Sequence, residues 1–214
     1  MALVLGLLIG NFWLPRTMET GLVLIGSMPS LLVAAIILDR WLDRRWHAAT
    51  LGREGEVHVG QALQELEAFG ARIVHDVIGP IGNIDHVVFH PSGIYAVETK
   101  TWSRDYKRLT SLAFDGRKFR RNGWPVMSDP VRQSINAAKW LRTHLQGELG
   151  LNFKCRVEAV IVFPGWHVVV EREHPHARIL STADLVATIR SSEAKNLSPA
   201  QVDYFANMLE KSGN

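Results

Sequence analysis

Two carboxylates and a lysine near the middle of the chain carry the strongest chemical signal. Asp85 lies in the strand-like run of residues 84–89, and Glu98 and then Lys100 stand at the end of the run of residues 94–99. The segment His90-Pro91-Ser92-Gly93 between them suits a short hairpin turn. With those four residues as the loop, Phe89 lies opposite Ile94, and the antiparallel register brings Asp85 opposite Glu98. Directly opposed strand residues hold their Cβ atoms about 4.5–5.5 Å apart, so like charges there repel. A divalent cation converts that repulsion into a binding site. Side chains alternate along a strand, so Lys100 shares a face with Glu98, whereas Thr99 points away and leaves its carbonyl near the same edge. Magnesium takes one or two carboxylates together with water and phosphate oxygens, so Asp85, Glu98 and the Thr99 carbonyl form a partial shell for Mg2+ or Mn2+. Lys100 then sits beside an attacking water, to orient it and to stabilise charge on a phosphate before acting as a general base.

The flanking sequence must build a sheet with helices around it. Residues 52–69 have helical spacing, with Val59, Ala62, Leu63, Leu66 and Phe69 along one side and Gly70 as a stop. Residues 71–77 read as a strand, broken from the next by Gly79-Pro80 and Gly82-Asn83. Residues 109–114 and 117–121 flank Asp115-Gly116, a two-residue hairpin signal. Asp129 is the expected N-cap and Pro130 the first residue of a second helix, with Val131, Ile135, Ala138, Leu141 and Leu145 as its buried stripe. The nearly all-apolar run of residues 157–163 lacks alternation, so it reads as a central strand covered on both faces. A helix over residues 182–190 and another opened by the capping box Ser198-Pro199-Ala200-Gln201 complete the chain. The fold class expected is α/β, a mixed sheet flanked by helices.

Composition narrows the function classes. A single cysteine, Cys155, excludes an intramolecular disulfide and a Cys-rich zinc site, and it reads as a core thiol. A formal net charge of +3 is too small to argue nucleic-acid binding. No Gly-rich phosphate loop is present. Placement of the charge says more. Arg104, Lys107, Arg108, Arg117, Lys118, Arg120 and Arg121 follow the Glu-x-Lys strand against only Asp105 and Asp115, with Trp102, Tyr106, Phe114 and Phe119 interleaved. Cations neutralise phosphates and aromatic rings stack on exposed bases, so this segment suits a nucleic-acid groove, DNA before RNA.

Three further segments carry a family resemblance. Gly52-Arg53-Glu54-Gly55-Glu56, then Asn83-Ile84-Asp85-His86-Val87-Val88, then Gly93-Ile94-Tyr95-Ala96-Val97-Glu98-Thr99-Lys100 resemble, in order and spacing, the NERD (nuclease-related domain) family of the PD-(D/E)xK nuclease superfamily. Asp129-Pro130 and Gln133 extend the likeness, which is strongest over residues 51–145. It implies a restriction-endonuclease-like fold over residues 47–214 and a metal-dependent nuclease that hydrolyses nucleic-acid phosphodiesters. Asp85, Glu98 and Lys100 would match its catalytic core, Glu56 the acidic residue of its first helix, and Gln133 a polar residue near the site. Ile84 stands where the superfamily's name has proline, which leaves the carboxylate in place. A catalytically silent module that binds nucleic acid or protein with the same fold is the alternative.

Residues 1–46 read as a membrane anchor. Residues 1–14 and 21–38 hold no charged side chain, and the second stretch ends in an unbroken apolar run over residues 31–38. A spanning helix needs about 20 apolar residues, so 21–38 is the expected span and 2–14 a second candidate. Arg40, Arg44 and Arg45 with Trp41 and Trp46 follow at once, the composition of a cytoplasmic exit. The expected location is the inner (plasma) membrane, with the remaining domain on the cytoplasmic side.

Overall fold

The computed structural model describes residues 18–80, 82–102, 111–149 and 156–212, with the side chains of 18–28, 148–149 and 212 excepted. The chain forms two compact units, residues 1–48 and 49–214. In the first, helix α1 (Met18–Gln64) begins and runs through Pro29. Every described side chain from Pro29 to Thr50 is exposed, the apolar residues Leu31, Leu32, Ile36 and Ile37 included. No helix of the described residues is long and apolar enough to cross a membrane. The candidate span 2–14 and the side chains of 21–28 lie outside the described residues.

The second unit is a mixed α/β fold with two sheets flanked by helices. Its main sheet has the order β1-β2-β3-β7-β9: β1 (Arg72–Gly79), β2 (Gly82–His90), β3 (Gly93–Thr99), β7 (Val157–Val162) and β9 (Ala177–Leu180). The first three strands are antiparallel neighbours, whereas β7 runs parallel to β3 and to β9. Strand β7 is internal, and its nearly all-apolar run is buried from Ala159 to Val162. A smaller sheet, β6-β5-β4-β8, is made of β4 (Ser111–Phe114), β5 (Phe119–Arg121), β6 (Trp124–Pro125) and β8 (His167–Val170).

Alternation along the strands divides the core. Val87, Phe89, Ile94 and Ala96 pack with Ala138, Leu141 and Leu145 of α2 (Pro130–Leu149) and with Val202 and Phe205 of α4 (Pro199–Ser212). Val88, Tyr95 and Val97 pack with Val59, Leu63 and Leu66 and with Leu185 and Ile189 of α3 (Thr182–Arg190). The helices therefore cover the two faces of the main sheet.

Several local expectations need correction. The helix expected to start at Gly52 is the end of α1, because nothing upstream stops it. It tightens into a 3-10 turn (Glu65–Phe69) before left-handed Gly70. The tighter turn loses the 3.6-residue phase, and Phe69 is exposed instead of buried. His90 pairs with Gly93, so the first hairpin loop has two residues, Pro91 and Ser92. Phe114 pairs with Phe119, so Asp115-Gly116 belongs to a four-residue loop. There Asp115 Oδ1 accepts from the Arg117 and Lys118 amides, an Asx turn that uses the two extra residues. Cys155 lies outside the described residues.

Candidate functional site

Strand pairing builds the site at the end of β3. The β2–β3 ladder pairs Phe89 with Ile94 and His86 with Val97, a register whose next row is Asp85 and Glu98. The two acids share the sheet face that α2 covers, since Val87, Phe89 and Ala96 pack there. Asp85 Oδ2 accepts a 2.6 Å hydrogen bond from the Thr99 amide. Glu98 is buried, and its Oε1 accepts from Lys100 Nζ at 2.6 Å and from Gln133 Nε2 at 2.7 Å. Its Oε2 is buried with no hydrogen-bond partner, as is Thr99 Oγ1. Asp129 caps the helix that delivers Gln133, its Oδ1 accepting from the Arg132 amide at 3.0 Å.

Glu56 arrives from α1. The Gly55 position has no room for a side chain, because a Cβ there would overlap the Thr101 methyl group. This close seat brings Glu56 to the carboxylates. Burial, then Asp76 and Glu98, raise its pKa, while Lys100 and Arg53 oppose the rise. Asp85 is pushed up to about 7, first by burial and then by Glu98, with the Thr99 amide working the other way. The site thus gathers Glu56, Asp85 and Glu98 with one ammonium, Lys100, among them, and is short of positive charge.

Asp76 was not singled out from the sequence. It lies between the β1–β2 rows His75–His86 and Val77–Ile84, opposite Asp85, with a positive φ of 52°. A non-glycine residue in the left-handed region is uncommon, though Asp tolerates it better than most. The signal available was the hairpin register, which counts Asp76, Asp85 and Glu98 into one row across three strands. Beside it, His86 is buried, with Nδ1 2.8 Å from His75 Nδ1. Burial and then His75 push it down to about 4, so it is neutral at physiological pH.

A cavity of about 400 Å3 opens beside Glu98, lined by Gly79, Asn83, Asp129, Arg132, Gln133 and Trp140 among others. A larger cleft of about 1100 Å3, lined by Lys139, Arg142, Glu158 and Arg178, contains none of the predicted site residues. The structure therefore brings together Asp85, Glu98, Thr99, Lys100, Gln133 and Glu56. Arg117, Lys118, Arg120 and Arg121 are exposed on the small sheet, whereas Arg104, Lys107 and Arg108 lie outside the described residues. No group of three or more His, Cys, Asp or Glu side chains among the described residues is arranged to hold a metal ion. Hard oxygen donors are nevertheless the right chemistry for magnesium, which needs one or two carboxylates. The orphaned Glu98 Oε2 and the repulsion at Asp85 fit such a cation.

The fold and the site define a mixed α/β protein with an acidic cluster and one lysine at the end of a strand. The NERD (nuclease-related domain) family matches residues 51–164, more than half of the chain, and the protein belongs to that family. No significant match was found among the curated proteins or among the solved structures.

Proposed function

We propose that the protein is a Mg-dependent, membrane-tethered nuclease that hydrolyses nucleic-acid phosphodiester bonds, DNA before RNA, through a PD-(D/E)xK site of the restriction-endonuclease-like kind. The observation that carries this reading is Glu98. One carboxylate oxygen is held by Lys100 and Gln133, and the other is buried without a partner next to Asp85, whose carboxyl is raised to about 7. Asp85, Glu98 and the Thr99 carbonyl would hold Mg2+ or Mn2+. Such an ion supplies Lewis-acid stabilisation of the phosphate and a water activated at neutral pH.

The chain's own groups do the positioning. The Thr99 amide fixes the Asp85 carboxylate, and Gln133 and Lys100 fix Glu98 from two sides. Lys100 Nζ, 2.6 Å from Glu98 Oε1, is placed to orient a water and to meet negative charge as it develops on the phosphate. Glu56 adds a third carboxylate to the site. Arg117, Lys118, Arg120 and Arg121, all exposed, are the phosphate-binding cations.

The tether rests on residues 21–38. Apolar side chains from Leu31 to Leu38 are exposed on a helix that buries them against nothing among the described residues, and lipid is their fitting environment. Arg40, Arg44 and Arg45 with Trp41 and Trp46 assign the following domain to the cytoplasmic face of the inner (plasma) membrane. A second reading, a silent module that binds nucleic acid or protein, is favoured by the lack of a three-ligand metal set among the described residues.

The test is cleavage of plasmid and single-stranded DNA by the full chain in Mg2+ or Mn2+, beside Asp85→Ala and Lys100→Ala. The proposal expects metal-dependent cleavage that both variants lose. Salt-sensitive binding without cleavage selects the silent module, and cleavage untouched by both substitutions refutes the site.

A further inference from the structure

The aromatic rings that accompany the basic segment in sequence are mostly occupied. Phe114 and Phe119 are buried. Trp102 packs against Phe163, Phe119 and Trp166 at centroid distances of 5.0, 6.0 and 6.5 Å. Tyr106 lies outside the described residues. What the small sheet exposes instead is Trp124, 78% accessible, followed by Met127 at 95%.

Trp124 follows a hydrogen-bonded turn. Asn122 and Gly123 have φ of 51° and 86°, the pattern of a two-residue turn whose twist matches its strands, and Arg121 pairs with Trp124 across it. The turn is tied back by the Asn122 amide to the Ser111 carbonyl at 3.0 Å and by the Ser111 amide to Asn122 Oδ1 at 3.2 Å.

Its surroundings identify a partner. Arg121 lies directly across from it, Arg120 lies across from Pro125, and Arg117 and Lys118 form the other turn of the same sheet. Asp115, bridged to Arg120 at 2.9 Å, is the one acid among residues 111–125. From Pro125 the chain runs directly to Asp129, Arg132 and Gln133, which line the cavity beside Glu98. An exposed indole with Arg121 directly across from it matches a polyanion whose bases are open to stacking. In a duplex neighbouring pairs cover those faces. In a single strand they are free, and stacking tolerates any base. The 400 Å3 cavity beside Glu98 is of small-molecule size.

We propose that Trp124 is a stacking platform for an unpaired base, and that the substrate of the Asp85–Glu98–Lys100 site is a single-stranded segment or a frayed end. The inference rests on the nucleic-acid reading of that site. Arg117, Lys118, Arg120 and Arg121 hold the phosphates, and Trp124 selects strands whose bases are unpaired.

The experiment is fluorescence anisotropy of the full chain with a labelled pyrimidine oligonucleotide and with a blunt duplex of equal phosphate count, without divalent metal. It compares the parent with Trp124→Ala and Trp124→Phe. Trp124→Ala is expected to weaken single-strand binding roughly 5- to 100-fold, with Trp124→Phe retaining most of it and duplex binding changed by less than about twofold. Equal single-strand affinity in parent and Trp124→Ala overturns the platform and leaves the nucleic-acid reading standing. Equal losses for both substrates overturn its selectivity. No binding of either by the parent at low salt defeats platform and reading together.

Discussion

Replacing Asp85 by Asn should stabilise the metal-free protein at alkaline pH and do little near pH 4. Burial first, and Glu98 next, raise the Asp85 carboxyl from 3.8 to about 7. Between those values the folded chain keeps a proton that the unfolded chain has released, so stability falls as pH rises through the window. A shift of roughly 3 units at about 1.4 kcal/mol per unit sets a ceiling near 4 kcal/mol, and about 2–4 kcal/mol is the expected effect. Asn keeps an oxygen for the Thr99 amide, so the substitution removes charge with little change in packing. His86 acts with the opposite sign. Lowered from 6.5 to about 4 by burial and His75, it contributes stability above pH 6.5 that is lost as pH falls toward 4. Both proteins carry it, and it cancels in their difference. Urea unfolding in chelator at a series of pH values gives that difference, which should grow by about 2–4 kcal/mol from near pH 4 to near pH 8. Added Mg2+ should then stabilise the parent more than the variant. A variant-minus-parent difference that is flat with pH refutes the assignment of Asp85 as a strained, metal-seeking carboxylate.

Gly55→Ala should lower stability by about 1–3 kcal/mol in urea unfolding, because its methyl overlaps the Thr101 side chain, and Thr101→Ser should recover part of the loss. Gln133→Ala leaves Glu98 Oε1 to Lys100 alone; a hydrogen bond to a charged group is worth about 1.5–3 kcal/mol, so turnover should fall roughly 10- to 100-fold with KM little changed in steady-state kinetics. Ser198→Ala removes the Oγ that accepts from the Gln201 amide at the start of α4 while leaving the Ser198 amide to Gln201 Oε1, and should cost about 0.5–2 kcal/mol in the same unfolding assay, with the site untouched.

The parts of the fold legible in sequence are those whose signal is local. The capping box at Ser198, the cap at Asp129 and the nearly all-apolar run of β7 each need only a few neighbouring residues, and each has the expected form. The register that brings Asp85 beside Glu98 was legible too, because it follows from one tight hairpin. Long-range placement was not. The short strand β9 joins the main sheet through pairing with β7, which no local pattern announces. Asp76 enters the acidic row through a third strand and an unusual backbone angle. The Asn122-Gly123 turn is a different case: its sequence is a strong hairpin signal that the neighbouring Asp115-Gly116 pair obscured. Phe114 and Phe119, expected beside the basic residues as rings for bases, instead build the core of the small sheet.

The most direct test of the central claim is a cleavage time course on a fluorescent single-stranded oligonucleotide, with Mg2+ or with chelator, comparing the parent and Glu98→Gln. The substituted amide would keep the size of the Glu98 side chain and an oxygen for Lys100 and Gln133, while removing the charge that a cation requires. The account predicts cleavage by the parent only with metal and none above background by Glu98→Gln. Metal-dependent cleavage at parental rate by Glu98→Gln would contradict it.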